Sequence, residues 1–118
     1  MTDDKITTGM RGETLAVQYL MKQGFKIITR NYRCPFGEID IIATKDKVYV
    51  FIEVKTRRNL SFGRPSEAIN KKKREHCVKT AQCFIKHFNL ADVDCRFDAI
   101  EIILTPSMKI EHIENIFF

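Results

Sequence analysis

The sequence predicts an α+β fold in which helices pack on a mixed sheet. Two segments carry apolar residues at helical spacing, and four or more others carry them in strand-like runs bounded by turn residues. The first three predicted strands follow one another without an intervening helix, which argues against a doubly wound sheet. The predicted order is therefore α-β-β-β-α-β, followed by a short last strand or an extended tail.

The first helix is predicted over residues 8–23. Thr7 or Thr8 can cap its beginning, and Gly24 stands where a helix commonly ends. A carboxylate, Glu13, lies on its apolar face. The apolar residues three, four or seven positions from it are Met10, Ala16, Val17 and Leu20. A carboxylate in such surroundings is unusual, which makes Glu13 a candidate functional residue.

The next three elements are predicted as strands joined by tight turns. Residues 25–33 form the first strand, and Cys-Pro-Phe-Gly at 34–37 has the composition of a turn. Residues 38–44 form the second strand, Lys-Asp-Lys at 45–47 a tight turn, and residues 48–57 the third strand. The second and third strands are therefore expected to form a hairpin.

The second half of the chain adds a long helix and a fourth strand. Ser66 can cap the helix, which runs to about His87. Val78, Ala81, Ile85 and Phe88 recur at spacings of three, four and three, which predicts a buried stripe along this helix. Residues 94–104 form the fourth strand, bounded by Pro106, and residues 109–117 form the last strand or tail.

Length and composition restrict the class of protein. The chain has 118 residues, which predicts one domain, and its 44% hydrophobic and 30% charged residues suit a soluble globular protein. The polar first residues lack the apolar core of a signal peptide, and no run reaches the roughly 18 apolar residues of a membrane helix. We therefore expect a cytoplasmic protein. Its four cysteines form no CxxC pair, which predicts reduced, mostly packed thiols rather than a zinc site.

The positive charge of the chain is unevenly distributed. Residues 55–79 contain nine Lys or Arg against two Glu, a net charge of +7. Because the whole chain carries +5, the remainder sums to −2. A basic segment that directly follows acidic strands indicates a polyanion bound close to an acidic site.

The predicted hairpin carries two carboxylates among its apolar residues. Side chains alternate along a strand, so Glu53 and Lys55 point to the same side, as do Glu38 and Asp40. Pairing about the turn at 45–47 places Asp40 opposite Glu53. Two adjacent anions repel each other unless a cation intervenes or one of them is protonated.

A divalent metal ion would relieve this repulsion. Mg²⁺, for which Mn²⁺ can substitute, commonly binds one or two carboxylates together with substrate phosphate and water. Lys55 would then orient an attacking water or stabilise negative charge in the transition state. Alternatively, Lys55 simply forms a salt bridge with Asp40 or Glu53. The neighbouring basic segment favours the phosphate substrate.

Six segments, taken in order, carry a family resemblance. They are GMRGETLAVQYL (9–20), NYRCPFGEIDIIA (31–43), VFIEVKTR (50–57), FGRPSEAI (62–69), RFDAI (96–100) and HIENIFF (112–118). Together they resemble the YraN-like family of predicted endonucleases, which is related in fold to archaeal Holliday junction resolvases. Asp40 followed by Glu53-Val54-Lys55 also resembles the PD-(D/E)xK nuclease motif, in which an acid on one strand precedes E-x-K on the next.

The resemblance implies a restriction-endonuclease-like core, with a central mixed sheet flanked by helices, and Mg²⁺-dependent hydrolysis of DNA. It implies that Asp40 and Glu53 bind the metal together with the backbone carbonyl of Val54, and that Lys55 is the catalytic lysine. Glu13 matches an acid on the first helix that resolvase-like members bring to the metal, directly or through water.

The chain departs from the motif next to Asp40. Ile39 stands where the motif has proline, and Glu38 adds a further acid. Glu38 would either touch the metal shell or cap the turn, and both alternatives remain open from the sequence.

Basic residues after the hairpin are candidates for contacts with backbone phosphates. They are Arg57, Arg58, Arg64, Lys73 and Arg74. Lys73 and Arg74 are selected from the run at 71–74 because one or two of four consecutive helical residues can share a side. Alternatively, this run is only a solvated helix face.

The sequence predicts the roles of some other residues less specifically. Phe36 and Phe62 could stack on bases or wedge into a junction, or they could pack in the core or at the rim of the site. Asp98 is expected to be structural, paired with Arg96 or Arg74. His76, His87 and His112 show no ligand spacing and are expected at the surface or in packing.

Three functions are compatible with these features. The first is a Mg²⁺-dependent endonuclease acting on DNA, including branched or structured DNA. The second is a nucleic-acid-binding module that keeps the nuclease fold without cleavage. The third is a scaffold whose apolar ending, residues 113–118, contacts a second copy. A homodimer would also suit the first function on a junction, since resolution needs two coordinated cuts.

Overall fold

The computed structural model describes residues 4–59 and 71–117. Within these ranges it shows two helices and five strands. In chain order they are α1 (Asp4–Lys22), β1 (Lys26–Cys34), β2 (Gly37–Lys45), β3 (Val48–Arg57), α2 (Lys71–His87), β4 (Asp94–Ile103) and β5 (Lys109–Ile113). The predicted α+β class and the mixed sheet are confirmed, and the arrangement is consistent with a restriction-endonuclease-like core.

The five strands form one sheet in the order β1-β2-β3-β4-β5. Neighbouring strands are antiparallel except β3 and β4, which are parallel. A parallel pair needs a crossover connection, and α2 lies in the chain between these two strands. The last segment is therefore a strand rather than a tail, because β5 pairs with β4.

The two helices cover opposite faces of the sheet. Ala16 and Leu20 of α1 pack in one core cluster with inward-facing residues of β2, β3 and β4. Ala81 and Phe84 of α2 pack in a second cluster, against a different set of residues from the same strands. Because side chains alternate along a strand, each strand supplies apolar residues to both clusters. This explains the nearly continuous apolar runs in β2 and β3.

α1 approaches β3 closely at Gly12. A Cβ atom placed on Gly12 would collide with the side chain of Thr56. The glycine therefore lets the helix backbone lie directly over the end of β3. This contact positions the next residue of α1, Glu13, beside the same end of the sheet.

The structure differs from the sequence prediction at the beginning of α1 and agrees with it at the end of α2. The prediction that the first helix begins at residue 8 is wrong, because α1 begins at Asp4. The segment before residue 8 has no proline, and acidic residues favour the first turn of a helix, so helix formation extends through it. The end of α2 at His87 is confirmed, whereas the predicted cap at Ser66 lies outside the described residues.

In the described ranges, neither helix combines the length and apolar character needed to cross a membrane.

Candidate functional site

The hairpin of β2 and β3 has the predicted register. Ile41 pairs with Ile52, and the connection is a tight turn in which residues 46–47 both have positive φ, 52° and 68°. This backbone matches the twist of two antiparallel strands joined by a two-residue turn. Asp40 and Glu53 are the next residues on the two strands, where the paired part of the hairpin ends, and they lie near enough for the charge of Glu53 to raise the pKa of Asp40.

Asp40 is a partly buried carboxylate with raised proton affinity. Its Oδ2 accepts a hydrogen bond of 2.8 Å from the backbone N–H of Val54. Burial, followed by the negative charge of Glu53, raises the pKa of Asp40 to about 7, although the Val54 N–H acts in the opposite direction. Glu13 and Glu38 add smaller effects of the same sign as Glu53. Asp40 therefore lies in a local excess of negative charge.

Glu53 is more deeply buried and contacts two ammonium groups. Its exposed fraction is 8%. Lys73 Nζ lies 2.7 Å from Glu53 Oε1, and Lys55 Nζ lies 3.4 Å from the same oxygen. The E-x-K spacing thus places Lys55 on the same side of β3 as Glu53, and α2 adds the second cation. Asp40, Glu53, Lys55 and Lys73 are called the carboxylate site below.

Glu13 lies at the rim of the carboxylate site. Its Oε1 accepts hydrogen bonds from Arg30 Nε at 2.9 Å and from Asn31 Nδ2 at 3.1 Å. Asn31 has a positive φ of 54° in β1. The carboxylate of Glu13 is therefore tied to β1, yet it lies near enough to Asp40 to affect its pKa.

Glu38 makes an ion pair with Arg33 of β1. Its Oε2 accepts a hydrogen bond from Arg33 Nε at 3.1 Å, between paired residues of β1 and β2. This cross-strand pair is mostly exposed, so it contributes little to stability. Glu38 affects the site through its charge, which acts on Asp40.

The predicted phosphate-binding residues occupy different places. Arg57 and Arg58 are exposed at the end of β3, and the Arg58 carbonyl accepts hydrogen bonds from the backbone N–H and the hydroxyl of Thr105. On α2, Arg74 is exposed, whereas Lys73 reaches into the carboxylate site. Arg64, like Phe62, lies outside the described residues.

Unlike Asp40, the Asp98 carboxylate accepts hydrogen bonds from several side chains and from the backbone. Arg96 donates from Nε to Oδ1 at 2.9 Å and from Nη2 to Oδ2 at 3.0 Å. His112 Nε2 donates to Oδ2 at 2.7 Å, and the Asn115 N–H donates to Oδ1 at 3.1 Å. Burial acts to raise the pKa of Asp98, but these hydrogen bonds outweigh it, so the pKa is lowered. Of the two predicted partners, Arg96 is the one the structure shows.

His112 extends this arrangement to the first helix. Its Nδ1 lies 3.1 Å from the hydroxyl of Tyr19, and the two rings meet edge to face. We call Tyr19, Arg96, Asp98 and His112 the Asp98 network. Tyr19 and His112 were not identified from the sequence as partners, because they are 93 residues apart and meet only when β5 pairs with β4.

Glu101 is a further buried carboxylate, which was not predicted from the sequence. It is 2% exposed and is paired in the β3–β4 register with Lys55. The signal was available, since Glu101 interrupts the apolar run of the fourth strand as Asp40 and Glu53 interrupt theirs.

The carboxylate site fits a hard divalent cation better than a soft one. Asp40, Glu53 and the carbonyl of Val54 can offer oxygen atoms, the ligands that Mg²⁺ prefers. Burial raises the pKa of the nearby Cys77 thiol to about 11, which leaves it protonated at neutral pH and unsuited to bind a metal. Among the described residues, no group of three or more His, Cys, Asp or Glu is arranged to hold a metal ion. A cation bound here would therefore need water or substrate to complete its coordination.

Comparisons with known proteins place the chain in a family. The model of uncharacterised protein family UPF0102 matches residues 12–102. That range contains Glu13, Asp40, Glu53 and Lys55.

Full-length relatives agree with this match. A UPF0102 protein of Caldanaerobacter subterraneus subsp. tengcongensis is 45% identical over 118 residues, which covers 97% of each chain. One of Caldicellulosiruptor bescii is 47% identical over 109 residues, 92% of each chain, and one of Dictyoglomus turgidum is 42% identical over 112 residues, 92% of this chain and 95% of the relative. The resemblance seen in the sequence motifs is thereby confirmed, and the chain belongs to the uncharacterised protein family UPF0102, the YraN family.

Proposed function

We propose that the chain is a Mg²⁺-dependent endonuclease that hydrolyses DNA phosphodiesters. The observation that supports this most is the proximity of Asp40 and Glu53 at the end of one hairpin, where the charge of Glu53 raises the pKa of Asp40, with Lys55 beside Glu53. A pair of carboxylates attracts a divalent cation, and a neighbouring ammonium group attracts phosphate oxygens. Metal-assisted hydrolysis of a phosphodiester uses both.

The side chains have distinct roles in this proposal. Asp40, Glu53 and the carbonyl of Val54 would hold Mg²⁺, which when bound supplies a Lewis acid and lowers the pKa of water. Lys55 Nζ donates hydrogen bonds to the phosphate and offsets the charge that develops on its oxygens during attack. Glu13 would interact with the metal through water rather than directly, because hydrogen bonds from Arg30 and Asn31 of β1 hold its carboxylate at the rim of the site.

The basic segment supplies affinity for the DNA backbone. Arg57 lies two residues beyond Lys55 on β3, Arg74 follows Lys73 on α2, and both are exposed, so we propose that both contact the DNA backbone. Contacts of such residues with phosphates position a nucleic acid without reading its sequence. Arg58 and Arg64 are proposed to extend this surface.

Cleavage of DNA tests the proposal. Supercoiled plasmid and a four-way junction are incubated with the purified protein and Mg²⁺, or with Mn²⁺ in its place. We expect Asp40→Asn and Lys55→Ala to reduce the rate of nicking by about 100-fold or more, because each removes a charge that acts in the transition state. Asp94→Asn and Lys86→Ala, at exposed positions, are the matched controls and should cleave like the wild type.

Two other outcomes decide against the proposal. Equal nicking by the wild type, Asp40→Asn and Lys55→Ala would identify a contaminating nuclease. Salt-sensitive DNA binding by the wild type, without cleavage in any divalent cation, would instead favour the non-catalytic binding module. The contact of Glu53 with two ammonium groups is the observation that favours this second candidate.

For a four-way junction, we propose that the protein acts as a homodimer. Resolution of a junction needs two coordinated cuts, so two copies of the carboxylate site must bind one junction. Sedimentation velocity of the protein mixed with junction DNA distinguishes one bound copy from two.

A further inference from the structure

Lys73 contacts Glu53, one of the two carboxylates that the proposed function assigns to the metal ion. Its Nζ lies 2.7 Å from Glu53 Oε1, closer than the 3.4 Å of Lys55. Glu53 is mostly withdrawn from water, with 9% of its side chain exposed. A carboxylate this buried needs a cationic partner, and Lys73 provides the nearest one among the described contacts.

The geometry of α2 directs Lys73 to this position. Cys77 lies one helical turn later on the same side and is buried against the sheet. The other basic residues of this turn, Lys71, Lys72 and Arg74, are exposed. Lys73 therefore faces the site because of its place on the helix, and Lys72 provides a neighbour of equal charge that faces solvent.

The ammonium group of Lys73 offsets part of the negative charge of the site. It lies 2.7 Å from Glu53 Oε1, and because Glu53 is mostly withdrawn from water, solvent screens the two charges weakly. A divalent cation bound to the same carboxylate would lie within a few ångström of this ammonium group and repel it.

We propose that Lys73 is the internal cation of the metal-free site, which a divalent metal ion displaces from Glu53 and which then lies beside the bound phosphate. This inference rests on the proposed function, since it assumes that the metal binds at Asp40 and Glu53. It assigns Lys73 two successive partners. The first is Glu53 when the metal is absent, and the second is the substrate phosphate when the metal is bound.

Metal affinity measured without DNA tests the competition. Mn²⁺ binding is followed by the loss of the free-ion signal in electron paramagnetic resonance, and Mg²⁺ binding by calorimetry. We expect Lys73→Met to bind Mn²⁺ about tenfold more tightly than the wild type, because the repelling charge has been removed. Lys72→Met should stay within about twofold of the wild type, as should Lys73→Arg, which keeps the charge.

A measurement on the wild-type protein does not depend on any variant folding. Lysines are acetylated briefly with a water-soluble ester in the presence of EDTA or of saturating Mg²⁺, and the sites are located by mass spectrometry. Displacement from Glu53 predicts that Mg²⁺ increases labelling of Lys73 several-fold relative to Lys72. Equal labelling of Lys73 in the two conditions would contradict displacement.

The outcomes separate this inference from the proposed function. If the wild type binds Mn²⁺ and Lys73→Met binds it no more tightly, the role of Lys73 as a competing cation is wrong and the metal site stands. If Lys73→Met binds Mn²⁺ and the wild type does not, the competition is established in its strongest form. If neither protein binds Mn²⁺, the metal site of the proposed function fails, and the inference fails with it.

Discussion

Asp98 and Asp40 are carboxylates of the same sheet with opposite surroundings. Asp98 is fully buried and accepts hydrogen bonds from Arg96, His112 and the Asn115 backbone. Asp40 is partly buried and accepts one from the Val54 backbone. The donors around Asp98 lower its pKa, whereas burial and neighbouring acids raise the pKa of Asp40 to about 7.

This difference separates a structural carboxylate from a candidate functional one. Asp98 has its acceptor positions filled by protein groups, so its charge serves to hold β4, β5 and α1 together. Among the described residues, Asp40 accepts a hydrogen bond from the Val54 backbone, and its surroundings contain other acids. A site that binds a cation or substrate from outside has to leave part of its charge unbalanced, and the protein gives up stability to do so.

Removing each carboxylate gives the largest expected contrast. Asp98→Ala should lower the free energy of unfolding by about 3 to 5 kcal/mol, because it leaves the buried parts of Arg96 and His112 without their anion. Asp40→Asn, measured in EDTA at pH 8, should leave the free energy of unfolding unchanged or increase it. Urea denaturation followed by circular dichroism measures both variants.

Asp94→Ala is the matched control, since Asp94 is an exposed acid on the same strand as Asp98. It should change the free energy of unfolding by less than about 0.5 kcal/mol. A loss in Asp40→Asn as large as that in Asp98→Ala would show that Asp40 is also a structural residue.

The pH dependence of stability should have opposite signs for the two residues. The folded state binds the Asp40 proton more tightly than the unfolded state does, so this residue makes the free energy of unfolding fall as pH rises from about 4 to about 7. One proton gives a slope of at most about 1.4 kcal/mol per pH unit. Asp98 has a lowered pKa, so its contribution is present above about pH 4 and is lost as pH falls through the folded-state value.

Subtracting the wild-type curve from that of Asp40→Asn isolates the first effect. With EDTA present throughout, the variant should gain stability relative to the wild type between pH 4 and pH 7 and hold a constant difference above it. A difference that does not change with pH would mean that Asp40 has an ordinary pKa in the folded protein.

The ease of prediction differs between the two carboxylates for a physical reason. The meeting of Asp40 and Glu53 depends on strand alternation and on a turn centred between them, both of which are local features of the sequence. The Asp98 network depends on β5 returning to pair with β4, which brings His112 to Tyr19 from 93 positions away. No periodicity within one segment contains that information.

Lys73 was partly predictable from the sequence, less so than the Asp40–Glu53 pair and more so than the Asp98 network. Helical spacing allows one or two residues of the basic run at 71–74 to face the site, and it favours Lys73 and Arg74 as phosphate contacts. The sequence did not show that Lys73 would contact Glu53 itself, because that distance depends on how α2 docks on the sheet through Ala81 and Phe84. The docking of α2 therefore places Lys73, which the sequence predicts as a phosphate contact, against Glu53.

The smallest expected effect tests how far the Asp98 network extends. Tyr19→Phe removes the hydroxyl that lies 3.1 Å from His112 Nδ1 and keeps the ring that packs against it. The free energy of unfolding should fall by about 0.5 to 1.5 kcal/mol, the usual net contribution of one intramolecular hydrogen bond. Tyr49→Phe is the matched control, since the described residues show no hydrogen bond to the Tyr49 hydroxyl. Its change in the free energy of unfolding should be near zero.

The double variant Tyr19→Phe with Asp98→Asn decides whether this hydroxyl acts through the carboxylate. If Asp98 orients His112 for Tyr19, the two losses should sum to more than the loss in the double variant, because the Tyr19 contact is already weakened without Asp98. Strictly additive losses would mean that Tyr19 holds His112 independently. In either case Mn²⁺ affinity should not change in Tyr19→Phe, because Asp98 pairs in register with Ile52, and Glu53, the next residue of β3, points to the opposite face of the sheet.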